Sequence, residues 1–227
     1  MLTKREEIRL LTNDNVLIEG IIETPEEIAP IPMVVLCHPH PQFGGQMNDS
    51  VISTISYSLV ANGISTLKFN FRGVGKSEGS FDNGDGETLD ALAAIKFASD
   101  TPWVDKEKIS ILGYSFGAKI ALNAFSHTSG IESLVLIAPP IKNIKKDEAH
   151  SLDTPKLLVL GEQDDLIQAD DIYEIYRNMA DPKRIEIIPN ANHFFQNSLP
   201  HVARCVTDFF NDLDENHQTA DLTSSII

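Results

Sequence analysis

The chain has almost no cysteine: Cys37 and Cys205 are the only two in 227 residues. Cys37 lies inside the apolar run Met33 to Cys37, where a thiol behaves as a small hydrophobe, so a disulfide framework is not supported. Basic residues are scarce as well. Eighteen Lys and Arg against 33 Asp and Glu leave a formal net charge of −15, which repels nucleic acid and anionic lipid surfaces. Neither a nucleic acid nor a membrane is expected as a partner. No apolar run approaches the length needed to cross a bilayer, and no apolar core follows the charges of Met1 to Glu7 as a secretory signal requires. Internal repeats and low-complexity tracts are also missing. These absences leave a soluble globular protein, expected in the cytoplasm. Its surplus of acid reads as a solvated surface and carries no message about a cationic substrate.

What is present suits one well-buried core. A single domain over residues 1–213 is expected, followed by a polar, acidic tail at 214–227 that frays or docks weakly. Ile8 to Leu11 and Val16 to Ile22 read as strands around the turn Asn13-Asp14-Asn15, an antiparallel hairpin. Apolar runs then alternate with helical patterns. Strands are expected at Met33–Cys37, Ser65–Phe71, Ile109–Leu112, Ser133–Ile137, Lys156–Leu160 and Arg184–Ile188. Helices are expected at Val51–Ala61, Glu87–Ala98, Lys119–Phe125, Asp170–Met179 and Pro200–Leu213. The alternation places the chain in the α/β class, with a mostly parallel central sheet, an N-terminal antiparallel hairpin and helices on both faces. In such sheets the site lies at the carboxyl ends of the strands. The stretch from Pro139 to Pro155 lacks strong helical periodicity and is too short for a separate lid domain.

Gly113-Tyr114-Ser115-Phe116-Gly117 stands between a predicted strand and a predicted helix, the context in which G-x-S-x-G marks a nucleophile held on a sharp, strained turn. Ser115 is the candidate nucleophile. A serine hydroxyl needs a base, and the base needs a third group to orient it. His193, in Asn190 to Phe195, follows the last strand and is the candidate base. His127, His150, His201 and His217 lie on helical or polar segments where solvent exposure is explanation enough. The candidate acid is Asp164, in Gly161-Glu162-Gln163-Asp164-Asp165, because it stands midway between Gly161 and apolar Ile167. Asp165 remains the alternative and Glu162 a weaker third. Serine, acid, histidine is the chain order of one serine-hydrolase fold and differs from the orders used by others.

An acyl-transfer oxyanion needs two preorganised donors. The Phe116 amide, next after the nucleophile, supplies one. The other must come from Cys37 to Gly45, where prolines have no N–H to give, and the His40 amide is the best placed. His38-x-His40 could instead be a metal pair, but no third ligand stands at metal-site spacing. No metal and no cofactor are expected.

The chain resembles the small, lidless α/β-hydrolase serine hydrolases that carry His-Pro-His-Pro followed by Gly-Gly and Met-Asn. Here these are His38-Pro39-His40-Pro41 through Gly44-Gly45-Gln46-Met47-Asn48. Asn70-Phe71-Arg72-Gly73-Val74-Gly75-Lys76-Ser77-Glu78-Gly79, the Ser115 pentapeptide and Asn192-His193-Phe194-Phe195 extend the resemblance over about residues 16 to 212. It implies an α/β-hydrolase fold without a cap domain, a Ser115-Asp164-His193 triad and carboxylesterase-like action on a small-molecule ester. Thioesterase, amidase or acyltransferase chemistry shares the same acyl-enzyme, and a non-catalytic binding protein is a rival of another class. Gly75-Lys76-Ser77 invites a phosphate-loop reading, which fails because Asn70 stands where the first glycine belongs. Nothing in the sequence selects monomer or homodimer, or the ester cleaved.

Overall fold

The computed structural model describes residues 3–26, 30–140, 154–167 and 169–224. β1 (Lys4–Leu11) and β2 (Leu17–Thr24) form the expected hairpin, paired from Lys4 opposite Thr24 to Leu11 opposite Leu17. Asn15 closes its turn at φ 64°, a left-handed conformation that asparagine tolerates better than most residues. The remaining strands are β3 (Ile31–Cys37), β4 (Ser65–Phe69), β5 (Val104–Tyr114), β6 (Leu134–Ile137), β7 (Lys156–Gly161) and β8 (Lys183–Ile188). They make one eight-stranded sheet in the order β1-β2-β4-β3-β5-β6-β7-β8. β2 is antiparallel to both of its neighbours, and every other pairing is parallel.

The helices are α1 (Ser50–Ala61), α2 (Asp85–Asp100), α3 (Phe116–Ser126), α4 (Ala169–Asn178) and α5 (Leu199–Ser224). Because successive strand residues point to opposite faces, the sheet divides the core in two. Met33, Val35 and Cys37 of β3 pack with α2, α3 and Ile172 of α4. Val34 and Leu36 pack with α1 and α5. Both faces are therefore dry, which is why the central strands read as unbroken apolar runs rather than alternating ones.

Two elements differ from the sequence expectation. β5 begins at Val104, five residues before the apolar run at Ile109, because its first half is half-polar backbone pairing beside Ile31. The last helix does not stop at Leu213 but continues to Ser224. No glycine or proline interrupts residues 214–224, so nothing in the chain ends the helix there. Asp214, at the start of the expected tail, instead pairs with Lys108. The stretch 141–153, most of the segment read as a lidless connection, lies outside the described residues. Among the described residues no cap domain covers the carboxyl ends of the strands.

The loop after β4 is tied down by charge. Arg72 donates to Asp90 on α2 and to Asp14 in the hairpin turn, each at 2.8 Å. Hydrogen bonding from Arg72 holds Asp14 well below the usual carboxylate range, at about 2. Further along the same connection, the Phe81 ring packs on His40 and Phe116.

Candidate active site

β5 ends at Tyr114 and α3 begins at Phe116, leaving Ser115 alone at the corner with φ 52° and ψ −121°. Few non-glycine residues adopt this conformation. The flanking glycines explain how it is enforced. A Cβ on Gly113 would stand 2.1 Å from the Gly117 carbonyl oxygen, and one on Gly117 would stand 2.2 Å from that of Cys37. Strand, helix and the end of β3 thus close on one another with no room for a side chain, and Ser115 is left projecting at the carboxyl edge of the sheet.

Two loops bring their side chains to it. His193 Nε2 lies 3.0 Å from Ser115 Oγ, and its Nδ1 lies 2.8 Å from Asp164 Oδ2. A carboxylate accepts only, so Nδ1 carries the proton and Nε2 is free to accept from the serine hydroxyl. The other carboxylate oxygen, Asp164 Oδ1, accepts from the amides of Leu166 and Ile167, both at 2.9 Å. The Asp164 side chain is 1% exposed, whereas Asp165 is an exposed neighbour. Of the three carboxylates weighed from sequence, Asp164 is therefore the one brought to His193. Glu162 does something else: its Oε2 accepts from the Asn190 amide at 2.8 Å. With Glu162 N–H donating to Ile188 O and Gln163 N–H to Ala191 O, it binds the acid loop to the histidine loop.

Tyr114 escaped the sequence reading. Its hydroxyl donates to the His193 carbonyl at 2.9 Å, and burial pushes its pKa up, which keeps it a donor. The available signal was a tyrosine at the end of a buried strand, since a buried phenol needs a partner.

His40 and Phe116 also meet. Their rings lie 4.7 Å apart, and His40 packs on Phe43 and Phe81 as well. Neither the His40 nor the Phe116 backbone N–H has an acceptor among the described residues. Burial lowers the His40 pKa, Lys119 acting in the same direction and Glu87 against it. The His40 Nδ1 accepts from the Gln42 amide at 3.2 Å, so in the neutral ring the proton sits on Nε2.

His38 takes no part in a site. It is fully buried, its Nδ1–H donates to Pro39 O at 2.7 Å, and its Nε2 accepts from the Phe71 amide at 3.1 Å. Burial penalises the charged ring, the hydrogen bond to Pro39 O acting against it, and the pKa falls to about 4; protonating Nε2 would also turn it from acceptor to donor facing the Phe71 N–H. A depressed pKa means the unfolded chain binds the proton first. The contribution to stability is present above about 6.5 and is lost as the pH falls through about 4; from the shift it amounts to about 3 kcal/mol. Urea midpoints measured from pH 7 to pH 4 are expected to fall in the native protein. In His38→Gln, which keeps an acceptor for Phe71, they are expected to start lower and fall less over this window. Parallel slopes for the two proteins would refute the assignment.

A parallel sheet crossed by one antiparallel strand, with serine, histidine and aspartate in a hydrogen-bonded series at its carboxyl edge, defines a hydrolase of the α/β-hydrolase fold. The chain belongs to the dienelactone hydrolase family, whose profile matches residues 77–221. It is 32% identical over 194 residues to an uncharacterised protein of Rickettsia prowazekii, covering 82% of this chain and 81% of that one. Among solved structures it is similar to an α/β serine hydrolase homologue from Coxiella burnetii, with 29% identity, a TM-score of 0.80, and 89% and 96% of the two chains covered. A serine hydrolase without a lid from Xanthomonas campestris matches with 25% identity and a TM-score of 0.83, covering 93% of this chain and 96% of that one.

Proposed function

We propose that the protein is a serine esterase that cleaves a small carboxylic ester through an acyl-enzyme on Ser115. The observation that carries the reading is the series Asp164 Oδ2, His193 Nδ1, His193 Nε2 and Ser115 Oγ, with spacings of 2.8 and 3.0 Å. Ser115 Oγ attacks the ester carbonyl while His193 takes its proton. Asp164 holds the histidine tautomer and stabilises the imidazolium. The oxyanion is received by the His40 and Phe116 amides, which have no acceptor of their own among the described residues. His193 then protonates the leaving alkoxide. Water, activated by the same base, releases the acid and restores Ser115.

Thioesters and activated amides would pass through the same intermediate, and a chromogenic series separates them. We also propose a cytoplasmic location, with which two free, buried thiols are in keeping. Its direct test is a fluorophosphonate probe followed by peptide mapping. One adduct at Ser115 is expected, blocked by prior heat denaturation. No adduct, or an adduct on another residue, would overturn the proposal.

A further inference from the structure

The ring contacts around Ser115 fall into two groups that share no contact among the described residues. One starts at Phe116 and runs to His40 at 4.7 Å, on to Phe43 at 4.8 Å, and to Phe81 at 5.7 Å. The other starts at Tyr114 and runs to His193 at 5.8 Å and on to Phe194 at 5.5 Å. Tyr114 and Phe116 are the chain neighbours of Ser115 on either side, so the serine stands at the seam. Each group ends at the surface in a bare phenyl ring: Phe43 is 86% exposed and Phe194 56% exposed. Each exposed ring packs on one residue of the proposed machinery, Phe43 on His40 and Phe194 on His193, and leaves its other face free for an apolar group of a ligand.

The chemistry tells the two sides apart. The leaving oxygen must take its proton from His193 Nε2, so the alcohol lies along the histidine, against which Phe194 is set edge-on at 89°. The carbonyl oxygen must point to the His40 and Phe116 amides. The acyl chain, on the same carbon and opposed to the leaving group, then runs toward the His40 group and its outer ring. Resting on the acyl-enzyme reading above, we infer that Phe194 walls the leaving-group subsite and Phe43 the acyl subsite. The substrate is accordingly an ester with apolar groups on both sides of its carbonyl, an aryl or alkyl alcohol joined to an alkyl or aryl acid.

The test uses the full chain and three esters, with ethyl acetate as common reference. Benzyl acetate enlarges only the alcohol and ethyl hexanoate only the acid. The native protein is expected to prefer both larger esters in kcat/KM. Phe194→Ala is expected to cut the benzyl-to-ethyl ratio roughly tenfold, the size of effect that burying part of a phenyl ring produces, and to leave the hexanoate-to-acetate ratio in place. Phe43→Ala is expected to do the reverse. Leu11→Ala, which truncates an exposed apolar residue on β1 far along the chain from the site, is expected to change neither ratio. Each protein is also labelled with the fluorophosphonate. Labelled Ser115 with unchanged ratios, crossed effects, or equal effects on both ratios would overturn the subsite assignment alone. Unlabelled Ser115 would overturn the hydrolytic reading and the assignment with it.

Discussion

Ser115→Gly is expected to abolish esterase turnover, by roughly 10⁵-fold or more in kcat, and at the same time to make the protein more stable. The loss of activity follows from removing the hydroxyl that His193 Nε2 touches, at 3.0 Å. The gain comes from the backbone. At φ 52° and ψ −121° a side-chain-bearing residue carries about 1–3 kcal/mol of strain, which glycine does not feel. Against this stands the extra freedom glycine has in the unfolded chain, about 0.5–1 kcal/mol. The balance is about 1 kcal/mol in favour of the variant, or about 3 °C in Tm for a chain of this size. Ser115→Ala is the control: it is equally inactive but keeps a Cβ and hence the strain. Calorimetry of the three proteins decides the matter. A glycine variant less stable than the alanine one would show that the corner stores no strain.

Asp164→Asn is expected to lower kcat roughly 10⁴-fold with little change in the position of any atom. The amides of Leu166 and Ile167 both donate to Asp164 Oδ1, so an asparagine must keep its oxygen there and turn its NH₂ toward His193. Nδ1 then has to accept, the ring proton moves to Nε2, and the histidine can no longer take the serine proton. Asp165→Asn, at an exposed neighbour, is expected to leave kcat within about twofold, since an exposed charge outside the series contributes little. Chromogenic assay of both variants reads the difference. Comparable losses in the two would remove Asp164 from its role.

The strand-turn-helix around Ser115 and the chain order of Ser115, Asp164 and His193 were legible because they depend on local pattern: an apolar run, a corner that only glycines permit, and a polar residue just past a strand end. The choice between Asp164 and Asp165 was only weakly legible, since what decides it is a pair of amides that turn one carboxylate inward. Tyr114 and Glu162 were missed as ties to the histidine loop because their partners are 79 and 28 residues away, and no spacing rule reaches that far. The helix beyond Leu213 was missed for the opposite reason. Its acidic, polar composition reads as disorder, while the absence of any helix-stopping residue is a quieter signal. His38 resembled a ligand only so long as its two nitrogens had no assigned partners.

The acid and base loops are joined by Glu162 N–H to Ile188 O, Gln163 N–H to Ala191 O and Asn190 N–H to Glu162 Oε2, and Tyr114 fastens the base loop to the strand that ends at the nucleophile. Ser115, Asp164 and His193 thus share one braced frame, whereas Phe43 sits outside it on the 3₁₀ turn that follows His40. On the subsite assignment proposed above, Phe43→Ala changes which acids are accepted while the Asp164–His193–Ser115 hydrogen bonds stay in place. On that assignment, acyl preference is set on a segment separate from the frame that holds the proton-transfer series, so the two can be altered independently.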